Sequence, residues 1–259
     1  MQTIDNCRAD IRRHCTRSIK MEYFSNIMAI INRTGNEANQ IKHKSQFKST
    51  LFFFTITIVC TFEIIAAYVF SKIDVSPILL TGIVRVSECI IILWYIYKQD
   101  NCFEVIGCKK NQILSGLYYG CIWSLCFGVI VFTSFFFFGY YYQINLFRMV
   151  QMPIQGSVLD QSVYLVVGCI LGPFAEELVF RGVIYGYFRQ WGILIACCLS
   201  TIIFVLLHNH APVIPITQII GGLVFAFSYE STKMLTTPLT IHVLGNSCMA
   251  LLSYLPIKF

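Results

Sequence analysis

Apolar residues along this chain fall in long continuous runs, broken by short polar stretches, and not in the strict alternation of half-buried strands. About 20 apolar residues suffice for a helix to cross a hydrocarbon core of ~30 Å, so the runs predict membrane-spanning helices. Seven are predicted, with room for an eighth: 49–70, 77–97, Ile113–Tyr142, 162–188, Ile193–His208, 214–229 and 239–255. The second begins at Pro77, a residue tolerated in a first helical turn. The third is long; it is one tilted helix or hides a break near Gly128. The fourth is expected to be interrupted at Gly172-Pro173.

Composition agrees. Of 259 residues, 56% are hydrophobic and only 12% charged, where a soluble domain carries about 25% charged residues. The fold class is therefore all-α: a polytopic membrane bundle of about seven or eight helices. A β-barrel would show alternating segments instead. Charge is concentrated at one end. Residues 1–48 hold nine Lys/Arg against four acids, +5 of the net +6. Beside a first span this reads as positive-inside anchoring, with a cytoplasmic N-terminus and no cleaved signal, and not as a nucleic-acid arm. Within it, Phe24, Ile27, Met28 and Ile31 share one helical face, so the segment is either a helix lying on the membrane or a partly ordered basic tail. The expected organisation is 1–48 as this segment, 49–150 as N-terminal membrane helices and 151–259 as a catalytic core. Twelve scattered cysteines form no C-x-x-C pair. They read as small hydrophobes, with neither a disulfide framework nor a thiolate metal site.

Against this apolar background the buried polar residues stand out. Glu63 lies in the first span, and Arg85 and Glu88, at i and i+3, read as a structural pair outside any site. The fourth span carries Glu176, Glu177 and Arg181. Each charge near a bilayer centre costs about 2.5–3.5 kcal/mol, so such a cluster reads as functional. Glu177 and Arg181 are spaced to pair, i to i+4, whereas Glu176 points about 100° away and is left over. Apolar surroundings disfavour the charged carboxylate, which suits a general base acting on water. His208 ends the fifth span; counted from the turn at Trp191-Gly192, it and Glu176 both lie roughly 21–25 Å along their helices. His242 and Asn246 are one turn apart on the last span, and an Asn can hold a developing oxyanion. His242 lies early in its span and His208 late in its own, which sets them at different depths unless a helix is tilted or extended. No H-E-x-x-H motif occurs.

The order E-E-x-x-x-R, F-x-x-x-H, H-x-x-x-N on successive spans resembles the CAAX-protease and bacteriocin-processing (CPBP, or abortive-infection) family of intramembrane proteases. Here these are Glu176-Glu177 to Arg181, Phe204 to His208, and His242 to Asn246, flanked by Phe180-Arg181-Gly182 and by Pro238 before the last motif. The resemblance covers about residues 160–250. It implies an endopeptidase acting on a membrane-associated substrate, a CAAX-type prenyl protein or a bacteriocin-like peptide, in a bacterial inner membrane. Glu176 would activate water with help from His208, Arg181 would order Glu177, and His242 and Asn246 would stabilise the oxyanion. On the cofactor the residues leave two versions open. His208, His242 and Glu176 can complete a three-ligand zinc site, making a metalloprotease, whereas metal-free glutamate chemistry is the favoured version because Asn246 alone is seen to support His242. The partners implied are membrane lipid and a protein or peptide substrate. Two other classes fit a membrane bundle with buried acids: a non-catalytic immunity protein and a proton- or cation-coupled transporter. Intact motifs argue against the first, and the lack of an internal repeat against the second.

Overall fold

The computed structural model describes residues 48–73, 76–100, 103–143, 146, 150, 152, 154, 156–208 and 215–254. The amphipathic stretch around Phe24–Ile31 lies outside them. Among the described residues there are seven helices and no strand. They are α1 (Lys48–Lys72), α2 (Pro77–Asp100), α3 (Ile113–Tyr142), α4 (Val158–Trp191), α5 (Ile193–His208), α6 (Ile216–Thr232) and α7 (Thr236–Tyr254). All described residues except Lys48 and Ser49 fall in one compact unit, Thr50–Phe259.

The helices are not seven equal spans. α1, α2, α4 and the helical stretch Phe103–Tyr142 that contains α3 are long and apolar enough to cross a membrane. α5 has 16 residues and α6 has 17, so they rise only about 24–26 Å. α7 has 19 residues, but His242, Asn246 and several Ser and Thr dilute its apolar character. Around the polar site the short or mixed helices α5, α6 and α7 meet the long helix α4, which carries Glu176, Glu177 and Arg181. α3 has its face turned outward: Leu114, Leu125, Phe136 and Tyr140 are all more than 60% exposed, as lipid-facing side chains are.

Of the two versions of α3 the uninterrupted one is found, and the break expected in α4 is absent. α3 runs through Gly128 without interruption. α4 also continues through Gly172-Pro173, because the chain widens there instead of breaking. Val167–Leu171 is π-helical, and the Gly172 N–H donates to Val167 O, five residues back. Pro cannot donate to a carbonyl four residues behind it, and its ring crowds that carbonyl. A π-bulge one turn earlier removes the conflict. A second π-helical stretch, Leu178–Tyr185, follows the α-helical turn Gly172–Glu177. α4 begins with a capping box in which Ser157 and Asp160 each bond the other's backbone N–H.

α7 is set against α3 by two glycines four residues apart. A Cβ at Gly120 would lie 2.5 Å from Thr240 Cβ and 2.9 Å from Thr237 O, and one at Gly116 would collide with Thr236 Oγ1. Only glycine permits this approach, the small-xxx-small device of membrane helix pairs. After α6, Lys233 adopts φ 56°, and the Leu235 N–H donates to Gly107 O at 2.9 Å. α7 therefore enters with its His242 face toward α4.

Candidate active site

Glu177 and Arg181 are wholly buried, and Arg181 Nη1 donates to Glu177 Oε1 at 3.0 Å. Two further features hold the guanidinium. Nη2 donates to Gly222 O on α6 at 3.2 Å. The cation also lies among the rings of Phe180, Phe204 and Phe225, 5.8, 5.0 and 4.9 Å from their centroids. Desolvated cation–π contacts of this kind are worth about 2 kcal/mol, which helps to offset the burial of a charge in an apolar bundle.

The same Glu177 Oε1 meets His242 Nδ1 at 2.9 Å. His242 is 6% exposed, and its ring stacks on Phe225 at 4.5 Å between centroids. Arg181, Glu177 and His242 thus form a relay of orientation: a caged cation fixes a carboxylate, and the carboxylate fixes an imidazole. The sequence showed the first link through its i, i+4 spacing. It did not show the second, which joins residues 65 apart on α4 and α7. The expectation that only Asn246 supports His242 is therefore corrected: a buried carboxylate does.

His208 is anchored differently. Its Nδ1 meets the Phe204 carbonyl, one turn back on α5, at 2.7 Å, and its ring lies against that of Phe204 at 4.3 Å. With both Nδ1 atoms engaged, both Nε2 atoms turn toward Glu176. Oε1 of Glu176 lies 3.5 Å from His208 Nε2, and Oε2 lies 3.6 Å from His242 Nε2. The different depths of the two histidines are spanned by the carboxylate, one oxygen per ring, with Phe204 against both rings. Glu176 and His208 stay partly open, at 21% and 30% side-chain exposure, whereas Glu177 and Arg181 are closed off. At hydrogen-bond length plus a few tenths of an ångström, these contacts can tighten around a bound reactant.

Asn246 does not touch this group directly. Its Nδ2 donates to Gly168 O at 2.8 Å, inside the first π-helical stretch of α4, where the widened helix presents a carbonyl to α7. The second hydrogen of the same amide nitrogen remains. Among the described residues no three His, Cys, Asp or Glu side chains converge closely enough to hold a metal ion.

A cluster unmarked in the sequence joins α4 to α6. Tyr185 and Arg189 of α4 both bond Glu230 of α6, Tyr185 Oη at 2.5 Å and Arg189 through Nε and Nη2 at 3.0–3.2 Å, and Lys233 also pairs with Glu230. This pins α4 and α6 together at the end away from Glu176 and keeps Gly222 in register with Arg181. No spacing signal could reveal a pairing across about 45 residues. Arg85 pairs with Glu88 at 2.6 Å, as its spacing predicts, and also with Glu63 of α1, on a helix that packs against the Gly172–Glu177 turn. Sequence spacing within one helix says nothing about which neighbour the helix faces.

Residues 156–248 match the family described as type II CAAX prenyl endopeptidase Rce1-like. Two curated proteins are similar over the same length of chain. One is the membrane-embedded CAAX protease MroQ of Staphylococcus aureus (strain USA300), 37% identical over 93 residues, 33% of this chain and 37% of that protein. The other is YdiL of Bacillus subtilis (strain 168), provisionally named a membrane peptidase, 27% identical over 95 residues, 36% of this chain and 38% of that protein. The matches thus span well under half of either relative. No solved structure matches the chain. The segment 156–248 of this all-helical membrane chain, which holds the paired acids, the arginine and the two histidines, is thus similar to the Rce1-like CAAX-protease (CPBP) family.

Proposed function

We propose that this integral membrane protein is a peptidase in which Glu176 deprotonates a water that attacks a peptide carbonyl. One observation carries the reading: a partly open carboxylate stands between two imidazole Nε2 atoms, each ring held by its own Nδ1 partner. A water bound to Glu176 gives up its proton to the carboxylate as its oxygen bonds the carbonyl carbon. The carbonyl oxygen becomes an oxyanion, and the proton passes on to the leaving amine as the C–N bond breaks. His208, the more open ring, assists at the water. His242, held by Glu177 and Arg181, and the second N–H of Asn246 stabilise the oxyanion.

In this reading the chemistry is carried by this chain's own side chains; were zinc bound, Glu176, His208 and His242 would hold it and it would supply an activated water. Tightly bound stoichiometric zinc, lost together with activity on chelation and in His208→Ala, would sink the metal-free version and keep the peptidase. The substrate is a membrane-associated peptide or protein, either a CAAX-type prenyl protein, as the relatives' names suggest, or a processed peptide. The excess of basic residues in 1–48 supports an N-terminus on the cytoplasmic side, and the bacterial source of both relatives supports a bacterial inner membrane. The deciding experiment is proteolysis of membrane-embedded peptides by purified protein beside Glu176→Gln. Cleavage by the wild type and none by the variant supports the reading; equal turnover removes Glu176 as base.

A further inference from the structure

The charged cluster on α1 and α2 is not used by the chemistry above, and it lies outside residues 156–248. α2 packs on the Gly172–Glu177 turn of α4, and it packs closely: a Cβ at Gly82 would stand 2.8 Å from Val167 Cγ2. Arg85 lies one turn further along the helix that makes this contact.

Two carboxylates hold Arg85, and they are unequal. Nη1 donates to Glu88 at 2.6 Å, and Glu88 is 1% exposed, so this contact is sealed. Nη2 donates to Glu63 of α1 at 2.5 Å, and the Glu63 side chain is 50% exposed. An acid half exposed on a membrane helix is costly against lipid, so this flank of the cluster faces water. Glu63 is thus an exchangeable counter-ion, able to return to water if another carboxylate takes its place on the guanidinium. Exchanging one carboxylate for another leaves the charge of the cluster unchanged, which avoids the penalty of an unpaired buried ion.

We infer that Arg85 is a specificity-determining residue that binds a carboxylate of the peptide substrate, displacing Glu63. The inference rests on the peptidase reading. The carboxylate is either the substrate's C-terminus or an Asp or Glu side chain near the scissile bond.

The test measures KM and kcat for peptides of one sequence ending in a free acid or in an amide, and carrying Asp or Asn near the scissile bond. The acid form of one pair should have a KM about tenfold lower, as expected for a charged hydrogen bond, with kcat within a few-fold. Which pair shows it identifies the source. Arg85→Lys should shrink that ratio, since Lys keeps the charge and loses the fork, and Arg85→Gln should bring it to one. Glu63→Gln, which removes the competitor and leaves the sealed Glu88 pair intact, should widen it. Equal KM for acid and neutral peptides in the wild type overturns the inference while the peptidase stands. So does a ratio unmoved by Arg85→Gln. If Arg85→Gln does not fold, Glu63→Gln decides: a widened ratio supports the inference, and an unchanged or narrowed one overturns it. No cleavage of any peptide by the wild type sinks the peptidase reading itself.

Discussion

This bundle contains two arginines flanked by acids, and they are built in opposite ways. Arg181 shares one helix with its acid, is wholly buried, and is ringed by Phe180, Phe204 and Phe225. Arg85 joins two helices, and one of its acids is half exposed. The sealed arginine spends its charge on orientation, through Glu177 to His242. The open one keeps a displaceable partner. Burial, more than residue type, separates an ion pair that holds a site together from one that can exchange.

The difference can be tested from its strongest consequence downward. Glu176→Gln should lower turnover by at least about 10²–10⁴-fold, the range of a lost general base. Helicity and membrane insertion, followed by circular dichroism and membrane fractionation, should be unchanged; an unfolded variant would make the loss uninformative about the base.

Arg181→Ala should cost about 3–5 kcal/mol of stability, because it strands Glu177 in the bundle. A detergent melting curve unchanged from wild type would show that the sealed pair is not what holds α4, α6 and α7 in register. Glu177→Gln removes the charge and keeps the shape. Its effect should fall on rate more than on folding, about 10–100-fold in kcat, as for other carboxylates that orient a histidine. A loss in KM alone would mean that Glu177 does not act through His242.

Smaller effects belong to packing. Gly120→Ala places a methyl group against Thr240 Cβ and Thr237 O and should cost about 1–3 kcal/mol. Wild-type thermal stability would show that α3 and α7 do not need their close approach. Phe136→Leu, on the outward face of α3 at 66% exposure, should change stability by no more than about 0.5 kcal/mol. A larger loss would reveal a partner for that face.

Much of this protein is legible in one dimension. Apolar runs longer than a bilayer is thick leave helices as the only way to satisfy the backbone, so the all-α bundle and the approximate bounds of α1 to α7 follow from sequence. Local spacing likewise exposes Glu177 with Arg181, and Arg85 with Glu88, since residues three or four apart on a helix are always neighbours. What needed tertiary structure is everything that crosses between helices. The continuity of α4 through Pro173 depends on a π-bulge that no propensity announces. The contact of Glu177 with His242 and the meeting of both imidazoles at Glu176 depend on how α4, α5 and α7 face one another, and the pairing of Arg85 with Glu63 on how α1 and α2 do. A helix in an apolar bundle fixes the order of its own side chains, but its rotation and depth are set by the neighbours it packs against, here by Gly116, Gly120 and the Glu230 cluster.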